Sequence, residues 1–291
     1  MHHQAMNFLG KLLLTAILLL PSPAQSQVGW ASDGETLYSV DLATAVAQPL
    51  GPLSPNIGAM ARSTTGEFFA VEEEAEELYR LNPRTLALDL IGSTGIRTSV
   101  QGLSSDDEGA LWMISRDTLY EIDPATGVAS EIGPLGRPSF TESLRALSFT
   151  DDRLLGPALE WNGFNYSFAL FEIDRATGAA SRLFGLPFLS NATIFPIVGM
   201  APAVEAGQLW ASVGHGLPSL PPSSQLSFHR FDANSGAELE SQSAAGLDAP
   251  GLSSLAGIQP APALIDVPAL DSPGLLLLSL LLLVLAVRRL R

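Results

Sequence analysis

The stretch Leu119-Tyr120-Glu121-Ile122-Asp123-Pro124-Ala125-Thr126-Gly127 decides the fold, because related phrases return on both sides of it. Tyr120 and Ile122 are apolar at every second position, which is the period of a strand that buries one face. Asp123, Pro124 and Gly127 then supply turn chemistry: a side-chain acceptor, a preset backbone angle and tolerance of positive φ. The stretch therefore predicts a strand, a tight turn and a returning strand.

The phrase is one copy of a repeat. Equivalent phrases occupy residues 37–41, 78–83, 170–174 and 228–232. Ahead of them come a small-residue strand (58–61, 102–104, 146–148, 199–201 and 251–253) and an aromatic or aliphatic strand (68–71, 111–114, 154–159 and 209–213). Successive small-residue strands start 44, 44, 53 and 52 residues apart. This period is typical of the four-stranded blades of a β-propeller.

The two ends of the repeat region complete each other. Residues 251–253 have no third strand after them, whereas residues 28–31 and 37–41 form a blade without a first strand. We therefore predict an all-β fold, a five-bladed β-propeller closed by exchange of N- and C-terminal strands, in which residues 251–258 join residues 28–50. Six blades are the alternative if the two longer intervals hide extra strands. The repeat style resembles the quinoprotein-like and YVTN-type bacterial propellers.

The N-terminus carries an export signal. Lys11 precedes an apolar run from residue 12 to residue 20, and Ala24-Gln25-Ser26 offers small residues at the positions that a signal peptidase recognises. Residues 1–26 are accordingly predicted to be a signal peptide and residues 27–260 the propeller. Cleavage is expected after Ser26 or Ala24.

The C-terminus has the layout of a sorting tail. A linker and motif at residues 261–274 lead into an apolar run at residues 275–287, and the chain ends on Arg288, Arg289 and Arg291. A helix of 13 residues is only about 20 Å long, short of the roughly 30 Å hydrocarbon core of a membrane. The arginines of the basic tail would hold this hydrophobic helix with its C-terminus in the cytoplasm.

This tail resembles the IPTL-CTERM sorting signal, a relative of the PEP-CTERM signal, of bacteria with a Gram-negative envelope. Val267, Pro268 and Leu270 match the family motif, and Gly274 falls at the family's glycine. Ala269 replaces the family's threonine and Pro273 its tryptophan. The resemblance implies a membrane sorting protease or transpeptidase as partner, and a place in the cell envelope, at the cell surface or outside the cell.

The amino-acid composition excludes some kinds of site and disfavours some classes of binding partner. The chain has no cysteine, which excludes disulfides and thiolate sites. Between residues 27 and 270 there are 29 acidic residues, 11 arginines and no lysine, a net charge of −18. Such a field disfavours nucleic acid and anionic lipid surfaces as partners and favours solubility.

The long insertions predict a binding face. If strands alternate in direction, the loops between second and third strands and those between blades share one face, here called the looped face. Every long insertion falls there, and inserted faces of repeat proteins are often binding faces. The candidate ligand-binding residues are Trp161, Asn162, Phe164, Asn165, Tyr166 and His215. A packed plug with solvated loops is the alternative.

No catalytic or metal signature stands out in the sequence. Glu72, Glu73, Glu74, Glu76 and Glu77 also fall on the looped face, but a straight run lacks the spacing of a calcium loop, so a solvated turn is the default and calcium the alternative. His229 takes the place of a buried aromatic residue and is interpreted as structural. No hydrolase elbow, phosphate loop or zinc motif appears.

The sequence thus favours an exported, envelope-sorted propeller without catalysis of its own, binding a partner protein or surface polymer through the looped face. One alternative is a propeller enzyme, such as a metal-dependent lactonase or a lyase, using His215 and nearby carboxylates. A second is a matrix or adhesion protein with a structural role. The sequence names no cofactor.

Overall fold

The computed structural model describes residues 27–72, 77–97, 99–136, 144, 146–161, 166–187, 197–214, 226–244 and 254–260. These residues form twenty strands arranged in five four-stranded antiparallel sheets, so the predicted five-bladed β-propeller is confirmed. Within the described ranges, no helix is both long and apolar enough to cross a membrane. The predicted hydrophobic helix at residues 275–287 lies outside them.

Blades 2 to 5 follow the chain from the inner to the outer strand. Blade 2 contains β4 (Ile57–Arg62), β5 (Phe68–Glu72), β6 (Glu77–Leu81) and β7 (Leu88–Ser93). Blade 3 contains β8 (Val100–Ser105), β9 (Leu111–Ser115), β10 (Thr118–Ile122) and β11 (Ala129–Pro134). Blade 4 contains β12 (Ser148–Thr150), β13 (Arg153–Trp161), β14 (Tyr166–Ile173) and β15 (Ala180–Gly185). Blade 5 contains β16 (Ile197–Pro202), β17 (Gln208–Gly214), β18 (Leu226–Asp232) and β19 (Glu238–Ser243).

Blade 1 is built from both ends of the propeller. Its outer three strands are β1 (Gln27–Ser32), β2 (Thr36–Asp41) and β3 (Val46–Pro52), and its inner strand is β20 (Ser254–Pro260). β20 pairs antiparallel with β1, with Trp30 opposite Ala256. The predicted exchange is correct, but the inner phrase was placed three residues too early. Ser254-Leu255-Ala256 fills that position, and residues 251–253 lie outside the described ranges.

Apolar clusters between neighbouring blades form the core. Trp210 and Phe228 of blade 5 pack with Ala31 and Val40 of blade 1, and each other blade pair has a comparable cluster. Trp112 and Trp210, each in the second strand of its blade, are buried in two of these clusters. Around the axis, the inner strands contribute five buried side chains: Met60, Leu103, Leu147, Met200 and Leu255.

A side-chain oxygen of the first turn residue accepts hydrogen bonds that hold the turn after each copy of the phrase. Asp123 Oδ1 accepts a hydrogen bond from Ala125 N at 2.8 Å, and Oδ2 accepts one from Thr126 Oγ1 at 2.9 Å. The hydrogen bond from the Ala125 N–H, followed by that from Thr126, lowers the pKa of Asp123. The same backbone contact recurs at Asp41, Asn82, Asp174 and Asp232. All five blades thus use one turn.

These turns pack against the preceding blade. A Cβ added at Gly127 would lie 2.8 Å from Gly92 O, and one at Gly178 would lie 2.4 Å from Gly133 O. Both turn glycines have a φ of +80°. In blades 3 and 4, the turn therefore touches the outer strand of the blade before it, backbone against backbone, whereas at Gly51 and Gly236 the close neighbours are the side chains of Leu86 and Phe184. We call the backbone contact the blade latch.

The blade latch predicts that Gly127→Ala is strongly destabilising. Ala45, at φ 52°, occupies the equivalent turn position in blade 1, so the conformation alone is tolerated by alanine. The added methyl group at residue 127 must also push back the Gly92 backbone. We expect a loss of about 2–4 kcal/mol in the free energy of unfolding, measured by denaturant titration of the full chain.

Gly109→Ala is the matched control. Gly109 has a φ of +90°, and nothing lies within 4 Å of an added Cβ. It should cost only the conformational penalty, about 1 kcal/mol. If the two variants lose the same free energy of unfolding, the close backbone approach at the blade latch does not contribute to the effect of Gly127→Ala.

Candidate functional site

The structure describes only part of the predicted binding set. Trp161 ends β13 and Tyr166 begins β14, and their backbones face each other as the last pair of this hairpin. Asn162, Phe164, Asn165 and His215 lie outside the described ranges, so their grouping remains a prediction. The same is true of Glu73, Glu74 and Glu76.

Among the described residues, the hairpin of blade 4 has the most residue pairs. β13 and β14 form eight pairs, whereas the corresponding hairpins form seven in blade 5, five in blades 1 and 3, and four in blade 2. At the opposite end, the hairpins of blades 4, 3 and 2 begin at equivalent residue pairs, which contain Ile173, Ile122 and Leu81, the last strand residues of their repeat phrases. The three pairs beyond those of blade 3 therefore extend toward the looped face, by about 10 Å at the rise of a strand.

Packing and charge brace this projecting hairpin. Ala158 and Ala169 are fully buried, and Leu144 forms a bridge to Ala158 from the inner side. On the outer side, Arg182 Nε donates to both carboxylate oxygens of Glu160, at 2.9 and 3.0 Å. The hairpin that carries Trp161 and Tyr166 is consequently supported on both sides.

The two described glutamates of the acidic run are Glu72 and Glu77. Tyr79 donates its hydroxyl hydrogen bond to Glu77, and burial together with this carboxylate raises the pKa of Tyr79. Among the described residues, no group of three or more His, Asp and Glu side chains is arranged to hold a metal ion. The calcium alternative rests on residues outside the described ranges and stays a prediction.

Blade 5 contains a chain of hydrogen bonds that resembles a catalytic triad. Ser227 Oγ lies 2.7 Å from His229 Nε2, and His229 Nδ1 lies 2.7 Å from Glu238 Oε1. A nucleophilic serine must face the substrate. Here Ser227 is only 6% exposed, whereas the Glu238 side chain is 34% exposed. Water reaches the acid end and not the serine end, which supports a structural role for His229.

The axis of the propeller opens into a cavity that the sequence did not predict. A constriction of about 10 Å³ at Met60, Leu103, Leu147, Met200 and Leu255 widens into a funnel of about 310 Å³. The funnel is lined by the turns between first and second strands, so it opens on the face opposite the looped face. Arg62 stands in its wall, and this charged residue in an otherwise small-residue strand was the available sequence signal.

Asp106, in the turn between β8 and β9 on the same face, connects two blades. It is 2% exposed, and it accepts hydrogen bonds from Trp112 Nε1 and Ala110 N, both at 2.8 Å. Arg175 of blade 4 lies 3.4 Å from the same carboxylate. Asp106 therefore links blades 3 and 4 through a buried, charge-assisted network.

Asp106→Ala should lower the free energy of unfolding by about 3 kcal/mol, because it leaves the buried Trp112 N–H without an acceptor. Asp107→Ala, at the exposed neighbouring position, should change it by less than about 0.5 kcal/mol. Thermal and denaturant unfolding of both full-length variants measures the difference. Similar small losses would mean that the network adds no stability.

No protein-family model and no curated protein matches this sequence. Among solved structures, the chain is similar to hydrazine synthase of Kuenenia stuttgartiensis, with a TM-score of 0.42, 12% identity and coverage of 72% of this chain and 60% of that one. A Bacteroides caccae protein of unknown function gives a TM-score of 0.46 and 10% identity, with 80% of this chain and 98% of that chain covered.

The calcium-binding protein regucalcin of Agrobacterium tumefaciens gives a TM-score of 0.45 at 15% identity, with 86% of this chain and 83% of that one covered. These similarities are too low for any inference about function. The assignment of the fold therefore stands on the strand order of this chain: it is a five-bladed β-propeller.

Proposed function

We propose that this protein is an exported, envelope-sorted β-propeller that binds a partner protein or a surface polymer through its looped face, without catalysis of its own. The observation that supports it is the projecting hairpin of blade 4. The hairpin extends beyond its counterparts in blades 2 and 3 on this face, and its braced strands end at Trp161 and Tyr166.

A braced hairpin suits recognition for two reasons. Aromatic residues such as Trp161, Phe164 and Tyr166 are enriched among the residues that dominate binding energy. A support that is already packed loses little conformational freedom when a partner binds, which lowers the entropic cost of association. The Glu160–Arg182 contact and the buried Ala158–Ala169 pair supply that support.

Export places this surface where a partner can reach it. The signal peptide at residues 1–26 would direct the chain through the inner membrane, and the tail from Val267 to Arg291 would deliver it to a membrane sorting protease or transpeptidase. The acidic surface of the mature chain suits a protein that stays soluble until it meets its partner. Cell envelope, cell surface and extracellular medium are the proposed locations.

Site-specific photo-crosslinking in the native host tests the binding function. A benzophenone amino acid at position 161 of the full chain should capture one envelope component reproducibly, because the hairpin tip is the proposed contact. The matched control places the same group at position 239, where Leu239 is 47% exposed on outer strand β19. Identical products from both positions, or none from position 161, would refute binding through this hairpin.

N-terminal sequencing and fractionation test export. The mature chain should begin at Gln27 or Gln25, and it should be recovered from the envelope or the medium. Replacing Arg288, Arg289 and Arg291 with glutamine should alter retention at the inner membrane, because the charges that fix tail orientation are gone. A chain that keeps Met1 or Met6 and stays in the cytoplasm would contradict the proposal.

A further inference from the structure

The axial funnel contains an arginine without a charged partner. Arg153, Arg175 and Arg230 are also half-buried, and each lies within ion-pairing distance of a carboxylate. Arg62 is half-buried too, yet no described carboxylate pairs with it. Its Nε is buried with no hydrogen-bond partner, as are those of Arg153 and Arg230, so the missing ion pair is what distinguishes Arg62. In a chain with twice as many acidic as basic residues, this is a conspicuous exception.

The surrounding residues hold Arg62 in place. Its guanidinium carbon lies 5.7 Å from the centroid of the Phe68 ring, which in turn contacts Trp30 edge-on at 5.0 Å. A Cβ at Gly257 would lie 2.7 Å from Arg62 Cδ, so the glycine leaves the space that the arginine stem fills. Arg62 lines both the funnel and a neighbouring cavity bordered by Trp30, Gly66 and Phe68, and its guanidinium is positioned and partly desolvated there before any ligand arrives, which strengthens a charge-assisted hydrogen bond.

A second orphaned polar group lies in the same funnel. Ser148 is 1% exposed, and its Oγ has no hydrogen-bond partner. Two more unpartnered polar atoms, Gln101 Oε1 and Ser254 Oγ, lie at the constriction below it. Buried polar groups are nearly always hydrogen-bonded, and exceptions call for an explanation. A ligand oxygen that accepts hydrogen bonds from Arg62 and Ser148 explains why these two groups have no partner within the described protein.

The polar side chains of the funnel wall all come from three neighbouring blades. Blades 2, 3 and 4 contribute Arg62, Ser104 and Ser148 with further hydroxyl groups, beside apolar residues such as Leu103 and Phe149. The inner strands of blades 5 and 1 contribute Met200, Ala201, Pro202, Leu255, Ala256, Gly257 and Ile258. A ligand that fits this wall has an acidic group at one end and an apolar body.

The rim limits the charge of that ligand. Asp107 and Asp151 also line the funnel, at its exposed turns. Two carboxylates at the rim repel a second negative charge on a ligand. This balance favours a single carboxylate over a phosphate or a polyanion.

We propose that the axial funnel is a second binding site, distinct from the looped face, for a small monocarboxylic acid with an apolar body. The carboxylate accepts hydrogen bonds from Arg62 and Ser148. The apolar body lies against the inner strands of blades 5 and 1. The volume of about 310 Å³ is at the lower end of the range for small-molecule pockets.

Calorimetric titration of the purified full chain tests this site with hexanoate as the probe. Hexanoate should bind, whereas hexanamide, of the same shape without the charge, should bind at least about tenfold more weakly. Arg62→Gln should weaken hexanoate binding at least about tenfold, and Ser148→Ala by about three- to tenfold. Arg116→Gln, at an exposed arginine of the β9–β10 turn, is the control and should leave the affinity unchanged.

Unfolding of each unliganded variant establishes that it is folded. If Arg62→Gln does not fold, the comparison of hexanoate with hexanamide and the Ser148→Ala variant decide. Equal affinity for the two probes, or full affinity in Arg62→Gln, overturns the proposal. Binding of inorganic phosphate without binding of hexanoate also overturns it, because the apolar wall would then have no role.

Discussion

Contact between the turn of one blade and the outer strand of the preceding blade is the constraint on which this propeller depends. Each blade is a small sheet that cannot bury its faces alone, so the blades must approach closely enough to exclude water. At Gly92 and Gly127, and again at Gly133 and Gly178, two backbones meet with no room for a side chain. The Asp turn presents each glycine in the required conformation. In these blades, one short phrase thus provides both two strands of the blade and the turn that packs against the preceding blade.

Periodicity made most of the fold predictable. The phrase around Tyr120 and Asp123 carries strand, turn and return in nine residues, and its spacing gives the blade count. The inner strand of blade 1 was placed too early because Gly251-Leu252-Ser253 and Ser254-Leu255-Ala256 have nearly the same composition. Only pairing with β1 distinguishes them. The nine-residue length of β13 was also missed, since Gly156 and Pro157 interrupt its apolar pattern.

The candidate sites were predictable to different degrees. Aromatic residues at positions 161 and 166 were visible as an insertion, and the extended hairpin beneath them gives that insertion a physical base. Arg62 and Ser148 are 86 positions apart in sequence and belong to different blades, so no local pattern connects them. Their common surroundings arise only when five inner strands converge on one axis. The interblade contact of Asp106 could not be predicted either, because its partner Arg175 lies in the next blade.

Closure by β20 also constrains when the molecule can fold. The inner strand of blade 1 is the last strand of the domain, ending at Pro260, and its partner β1 begins at Gln27. During synthesis or membrane passage from the N-terminus, the ring therefore stays open until nearly the whole domain has emerged. Contacts of such long range are slow to form. This late closure is compatible with the export proposed above, in which a chain crossing the membrane unfolded would gain the inner strand of blade 1 only at the end.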